Sequence, residues 1–395
     1  MADWGNIPND LATKIAEHFE LLEDFEVFGF VCSRWRSAAK QAKFQANTKS
    51  STLSVSRVPW LMLPEKDDTS NQRRFYSFYN QQVRRVSLPQ PNPNEKRLLS
   101  SRGWLLSVTE KGKNMCILNP LSGAVIKLPK VSFWDQAGRG WYIYHDIYGT
   151  HYFDKFVLSE NPSTTSDFTI ALVLSEPYLN SSICHEIVSF WRNGSCEWDT
   201  FVECGDVYFT LYQCHDITFY QGEFYAVDDS GNIVCFQFDQ SGEHQARLIK
   251  ESERNMYKDQ QLTIINYLVE SSDRLLLVCR LKKLLDQIYR TVSFEVFELN
   301  IHNGTAERVV HLEDVAIFVG SNSSYSVNVS VDNVFKPNSI YFTDDFKVAR
   351  HRHWYESNSR GTDMGVYSLA GNHIHSYYDG PFHYSKIAPF MWHEP

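Results

Sequence analysis

A unit made of an apolar strand, a tight turn with glycine and a second strand recurs five times in this chain of 395 residues. The copies are Cys116 to Ile126 around Gly123, Val188 to Trp198 around Gly194, Val234 to Ile249 around Gly242, Phe294 to Val310 around Gly304, and Val366 to His375 around Gly371. Most have another apolar run upstream: Gly103–Leu106, Glu223–Val227, Arg274–Val278 and Asn338–Phe342. Short β-branched and aromatic runs bounded by Gly, Asn, Asp and Ser are strand signals, and glycine supplies the positive φ that tight turns demand. The glycines mark a period of about fifty to seventy residues, which suits four-stranded blades with loop insertions. A β-sandwich, or a meander with coincidental turns, is the competing architecture. The expectation is an all-β, kelch-like propeller of about six blades over residues 58–395, with Val58–Leu63 contributing to ring closure.

The first forty residues follow a different period. Leu11, Ile15, Phe19 and Leu22 recur at four, four and three residues, which is one face of a helix. Pro8 suits a first helical turn, where its missing N–H has no partner anyway; Asn6 is the candidate cap, and Asp10 favours the positive end of the helix dipole. After a break at Glu23-Asp24, Phe25, Phe28, Val31, Cys32, Trp35, Ala38 and Ala39 keep helical spacing over a wide arc. A module of this size rarely buries enough surface to be stable unaided. Ile7, Leu11, Ile15, Phe28, Val31 and Trp35 are also more apolar bulk than three helices need to close on themselves. Either the rest of the chain or a partner covers the surplus.

Ile7-Pro8-x-x-Leu11-x-x-x-Ile15, a spacer, and then Val31-Cys32-x-x-Trp35-Arg36 together resemble the F-box. That motif docks substrate receptors onto the adaptor of Skp–cullin–F-box (SCF) ubiquitin ligases. Asp3-Trp4 and Trp35-Arg36-Ser37-Ala38 look like the plant F-box subfamily that carries the domain of unknown function 295. Pro59–Pro64, Arg74–Ser77, Ser100–Leu105 and Leu118–Gly123 resemble successive signatures of that domain, and Pro389–Pro395 resembles its closing proline–tryptophan segment. The resemblance therefore covers nearly the whole chain. Ala12 departs from it, standing where the family usually has a second leucine, which weakens the packing expected of the first helix. Ala388 and Phe390 stand where prolines are usual.

The resemblance implies an α+β multidomain chain, with a three-helix F-box over residues 1–45, a linker over 46–57 and the propeller over 58–395. It implies the substrate-recognition subunit of an SCF E3 ligase, without catalysis or a cofactor of its own. Ile7, Pro8, Leu11, Ile15, Phe28, Val31, Cys32 and Trp35 would dock the Skp-type adaptor, and through it cullin and a ubiquitin-conjugating enzyme. The propeller would hold an unidentified target protein in the cytoplasm or nucleus. A propeller-fold glycan hydrolase and a non-degradative adaptor-bound scaffold are the rival readings.

Composition narrows the field. A hydrophobic content of 43% is that of a globular protein, and no apolar run approaches the roughly eighteen to twenty residues of a membrane span. The N-terminus is acidic and amphipathic rather than a secretory signal, so the eight cysteines, none in a C-x-x-C pair, read as reduced thiols. A net charge of −9 argues against nucleic-acid binding. No G-x-S-x-G elbow, phosphate loop or H-E-x-x-H is present.

Asp228-Asp229 and Asp344-Asp345 could be imagined as paired glycosidase carboxylates, but both read as turn residues. His351, His353, His373, His375, His383 and His393 lack a Cys or carboxylate at ligand spacing and read as polar loop residues; Cys204, Cys214 and His215 read the same way. Two aromatic-rich stretches, Phe133 to His145 and Tyr377 to Tyr384, suit an interface or a propeller core equally.

Overall fold

A computed structural model describes residues 6–19, 24, 28, 29, 31–49, 58–64, 72–88, 97–109, 114–134, 140–142, 152–176, 185–201, 214–238, 244–252, 262–285, 288–329, 334–345, 362–377 and 390–394. Two helices, α1 (Asn9–Ala16) and α2 (Ser33–Lys49), come first, and Asp24, Phe28 and Gly29 are helical as well. The chain breaks helix at Val31-Cys32, inside what the apolar spacing reads as one stretch.

Pro8 is the cap residue rather than the first helical one. It makes no side-chain cap; its carbonyl accepts from the Leu11 and Ala12 amides at 3.1 Å each. Asn6, the expected cap, instead accepts from Arg34 Nη1 at 3.2 Å. The reason is reach: a capping side chain must belong to the residue whose carbonyl opens the helix, and Asn6 lies two positions earlier.

Among the described residues the strands form six sheets of four or five strands and one two-stranded ribbon. The first holds β1 (Trp60–Leu63), β2 (Gln72–Ser77) and β3 (Gln82–Ser87); the second β4 (Arg97–Ser101), β5 (Trp104–Thr109), β6 (Asn114–Leu118) and β7 (Val125–Leu128). A ribbon of β8 (Ser132–Trp134) and β9 (Gly140–Tyr142) precedes the third, made of β10 (Tyr152–Leu158), β11 (Thr169–Glu176), β12 (His185–Arg192) and β13 (Asp199–Phe201). The fourth comprises β14 (Cys214–Tyr220), β15 (Glu223–Asp228), β16 (Ile233–Phe238) and β17 (His244–Lys250). The fifth comprises β18 (Leu262–Ser271), β19 (Arg274–Leu285), β20 (Ile288–Leu299) and β21 (Ala306–Val309). The sixth holds β22 (Val315–Val319), β23 (Tyr325–Asn328), β24 (Ser339–Phe342), β25 (Gly365–Ser368) and β26 (His373–His375).

Finally β27 (Met391–His393) returns to the first sheet and pairs with β1, Trp60 opposite His393 and Met62 opposite Met391. Innermost strands β27, β4, β10, β14, β18 and β23 follow one another around an axis, and Trp392 of β27 meets the sixth blade by donating to the Val319 carbonyl. The fold is a six-bladed β-propeller closed by its first and last strands.

In the second to fifth blades the glycine-marked hairpin joins the third strand to the outermost one; in the five-stranded sixth blade it joins the fourth, β25, to the outermost, β26. Gly123, Gly194 and Gly304 have φ of +68°, +93° and +72°, conformations that a β-carbon disfavours. In the sixth blade Asn372, not Gly371, takes the left-handed conformation, at φ +48°. Gly242 lies outside the described residues. Turns between first and second strands use a related device: Arg102-Gly103, Gln221-Gly222 and Ser272-Asp273 all have positive φ at both positions, as a type I′ hairpin requires.

Hydrophobic packing lies between blades. Of the seven clusters among the described residues, six each join two adjacent blades. Alternate side chains of one strand serve different neighbours. Trp60 and Met62 pack toward the second blade, while Leu61 and Leu63 pack toward the sixth. Because both faces of a blade are covered, the inner strands read as continuous apolar runs instead of alternating ones. The sixth blade departs from the others. Its β22 runs parallel to β24, and the innermost position passes to β23 through an added hairpin.

Candidate functional site

The seventh cluster is the helical module's own core. Ala12, Ala16, Ala38, Ala39 and Ala42 form a seam of small side chains closed by Phe28. Phe28 stacks on Trp35 at 4.4 Å and meets Phe19 edge-on at 5.2 Å. The alanine seam explains the departure at position 12. Ala12 is fully buried where the two helices approach, and a leucine would overfill that contact.

The eight residues expected to dock an adaptor divide by this core. Phe28 is inside it; Ile7, Cys32 and Trp35 are half-buried, and Pro8 is exposed. Leu11, Ile15 and Val31 are 49%, 40% and 55% exposed. Leu11 and Ile15, four residues apart, share one face of α1 that adjoins the alanine seam and is turned out from it. The Arg34–Asn6 bond holds the start of α2, just after Val31, beside the chain that leads into α1. Burying three such side chains is worth roughly 1.5–3 kcal/mol each. The described part of the module has a core of its own and still presents apolar surface.

In the propeller one buried polar network sits at the axis. Lys155 on β10 and Asp216 on β14 form an ion pair of 3.0 Å with both side chains fully buried. Lys155 Nζ also donates to the Gly320 and Asn322 carbonyls at 3.3 and 2.5 Å. Asp216 Oδ2 accepts from the Leu268 amide at 3.1 Å and the Ser324 hydroxyl at 2.6 Å. Asn322 donates to the Ser100 carbonyl and accepts from the Phe156 amide. Residues 320–324, the turn between β22 and β23, thus plug the centre by bonding to the second, third and fourth blades.

A second network lies between the fifth and sixth blades. Arg280 donates to Asp363 Oδ2 at 3.0 Å, to the Thr343 carbonyl at 2.7 Å and to Thr291 Oγ1 at 2.7 Å, with its guanidinium 4.6 Å from the Phe342 ring. Lys282 reaches Asp363 at 2.8 Å and Asp344 at 3.9 Å. Burial alone would raise the Asp363 carboxyl; Arg280 and Lys282 outweigh it and hold it at about 2. Tyr267 bridges the two networks, donating to Asp345 at 3.1 Å, accepting from Arg280 at 3.3 Å and placing its ring 5.6 Å from Lys155 Nζ.

These carboxylates are committed to neighbouring cations and hydroxyls. A glycosidase pair needs two carboxyls facing one sugar, and here Asp363 is divided between two cations. Asp344-Asp345, expected in a turn, is 2% and 3% exposed. They follow β24 in irregular chain, as expected, but are held inward by Lys282 and Tyr267, which are distant in sequence. Asp228 is the turn residue expected, with Oδ1 accepting from the Asn232 amide at 2.8 Å.

The histidines fall into different settings. His373 and His375 share an exposed face of β26 with rings 4.2 Å apart. His393 is no loop residue: it lies buried on β27, bonded to Ser100 Oγ at 2.8 Å, and burial lowers its pKa to about 3. His215 is equally internal, accepting from the Asn266 amide at 3.1 Å, and Cys214 donates to the Asp216 carbonyl. His351, His353, His383 and Cys204 lie outside the described residues. No three His, Cys, Asp or Glu side chains converge as a metal site among the described residues. Nor is any helix there long and apolar enough to cross a membrane. Of the aromatic stretches, Tyr377 packs on Phe78, Tyr341 and Trp392 in the core, while residues 143–145 and 378–384 lie outside the described set.

Lys155, Asp216, Arg280 and Asp363 were missed by the sequence reading. The available signal was a charge inside an apolar run, as in Phe153-Asp154-Lys155-Phe156 or Val278-Cys279-Arg280-Leu281.

Comparison with known proteins fits this architecture. F-box protein SKIP23 of Arabidopsis thaliana is 22% identical, over 95% of this chain and 91% of its own. The putative F-box protein At3g25750 of the same plant is 24% identical, over 86% of this chain and 87% of its own. F-box/kelch-repeat protein At1g57790, also from Arabidopsis thaliana, is 20% identical over 86% and 83%. Overlap with a solved luciferin-regenerating enzyme is loose, with a TM-score of 0.31 at 7% identity over 65% of this chain and 77% of that one. Residues 75–368, nearly the whole ring, match the model of the KIB1-4 β-propeller. The chain is a distant homologue of plant F-box proteins, and it belongs to the KIB1-4 β-propeller family.

Proposed function

We propose that this chain is the substrate-recognition subunit of an SCF E3 ubiquitin ligase. The carrying observation is the exposure of Leu11, Ile15 and Val31 on a helical module whose described residues form a core of their own without them. That surface suits a Skp-type adaptor, the partner that the F-box relatives' name implies. Phe28 supports the face from inside, and Trp35, stacked on it, reaches the surface from the same core.

The propeller holds the target protein. Its buried carboxylates are tied to Lys155, Arg280 and Lys282, which suits a rigid binding platform rather than a catalytic centre. Ubiquitin transfer belongs to the recruited conjugating enzyme, and this chain contributes by raising the effective concentration of target lysines near it.

Co-expression with a Skp-type adaptor tests the reading. The full chain is expected to co-purify with it at equal stoichiometry. Leu11→Asp with Val31→Asp is expected to weaken the complex about a hundredfold or more, since both charges enter a buried apolar interface. Far-UV circular dichroism should not change, because neither side chain belongs to the alanine seam. Stoichiometric co-purification of the double variant, or none by the parent chain, sinks the docking assignment.

A further inference from the structure

The fifth blade carries a feature that the ring does not need. Strands β19 and β20 are 12 residues each, and β21 covers only Val296–Leu299 of β20. At the far end, Lys283 lies directly opposite Arg290, and Leu285 opposite Ile288.

One face of this hairpin is locked to the ring. Lys282, Tyr289 and Thr291 are buried, and Asp363 binds both Lys282 and the Thr291 amide. The other face is open. Lys283 and Arg290 are exposed, Leu285 is 42% and Val292 39% exposed, and Ile288 is half-buried. Val292 is the extra residue of a bulge, where pairing passes from Leu281–Ser293 to Lys282–Thr291.

Like charges directly opposite on one sheet face repel and weaken the pairing. Neither cation has an ion-pair partner among the described residues. In a chain of net charge −9, a cross-strand pair of cations flanked by apolar side chains is a local reversal. A carboxylate placed between Lys283 and Arg290 removes the repulsion. Leu285, Ile288 and Val292 add apolar contact that a bare anion cannot use.

We propose that this strip is where the propeller holds its target, through a segment of that protein in which acidic side chains alternate with aliphatic ones. The proposal rests on the reading of the propeller as the target-holding domain. Buried Arg280 and Lys282, by fixing the hairpin's inner face, present the strip in one orientation and limit the ordering cost of binding.

The test uses the full chain and a random library of displayed peptides of about a dozen residues. The parent chain is expected to enrich peptides that mix Asp or Glu with Leu, Ile or Val. Lys283→Glu with Arg290→Glu is expected to weaken those peptides at least about tenfold and to shift enrichment toward Lys- and Arg-containing ones. Leu285→Ser with Val292→Ser weakens the same peptides without reversing their charge preference.

Unfolding temperature is measured on each variant, and the charge-reversed chain should match the parent because both side chains are solvated. Equal binding of the acidic peptides by the charge-reversed chain overturns the proposal. So does full competition by inorganic phosphate alone, which would make the strip an anion site. The variant Leu11→Asp with Val31→Asp keeps peptide binding while losing the adaptor, so failure here and failure of adaptor docking are separable.

Discussion

Asp216→Ala is expected to destabilise the propeller by about 3–5 kcal/mol, the usual cost of leaving a buried charge without its partner. Lys155 would remain fully buried at the axis, with the Gly320 and Asn322 carbonyls and the Tyr267 ring beside it but no counter-charge. The Leu268 amide and the Ser324 hydroxyl would lose their acceptor in the same step. Lys155→Met should cost a comparable amount, since it strands Asp216 instead.

The pair is informative as a cycle. Lys155→Met with Asp216→Ala removes both charges together, so the double variant should be more stable than the sum of the singles by more than about 1 kcal/mol. Urea denaturation of the four proteins reads this directly. Additivity within about 0.5 kcal/mol would mean that the two charges are not coupled through the axis.

Asp363→Asn is the second large effect, and its signature is a dependence on pH. The folded carboxyl is held at about 2, below its ordinary value of 3.8, so the native state favours the ionised form. Stability from this group is therefore complete above pH 4 and lost as pH falls through 2. Each tenfold difference in proton affinity between the folded and unfolded chain is worth about 1.4 kcal/mol, which makes the pH-dependent part about 2 kcal/mol. At pH 7 the asparagine variant should be about 3 kcal/mol less stable, because Arg280 and Lys282 lose their shared charge. Between pH 5 and pH 2 that gap should narrow by about 2 kcal/mol as the parent carboxyl takes up its proton. Unfolding curves across this range check it, and a gap independent of pH would contradict the depressed carboxyl.

The blade repeat was legible because turn chemistry is local. A glycine at φ +68° or +93° announces its hairpin within a few residues, whatever the rest of the chain does. The sixth blade was harder. Gly371 marks its outer hairpin, yet the parallel pairing of β22 with β24 depends on residues 316–319 meeting 339–342 across an inserted strand. Nothing in either segment alone specifies that.

Buried charges were the least legible part for the same reason. Lys155 needs Asp216, and Arg280 needs Asp363, so each looks like an ordinary surface residue until the ring brings its partner in. At the helical end, apolar spacing correctly marked an excess of hydrophobic bulk. It could not show that Phe28 turns inward while Leu11 and Val31 turn outward, because a wide apolar arc fits either arrangement.

The pairing of β27 with β1 also dictates when the ring can exist. The ribosome releases β1 more than three hundred residues before β27. Until β27 emerges, Trp60, Met62 and Phe75 lack the strand that completes their packing. Among the described residues the helices share no core cluster with the blades, so their packing does not wait for the ring to close. A stalled or truncated chain would then leave open the blade faces that the closed ring covers, and would be a ready client for chaperones.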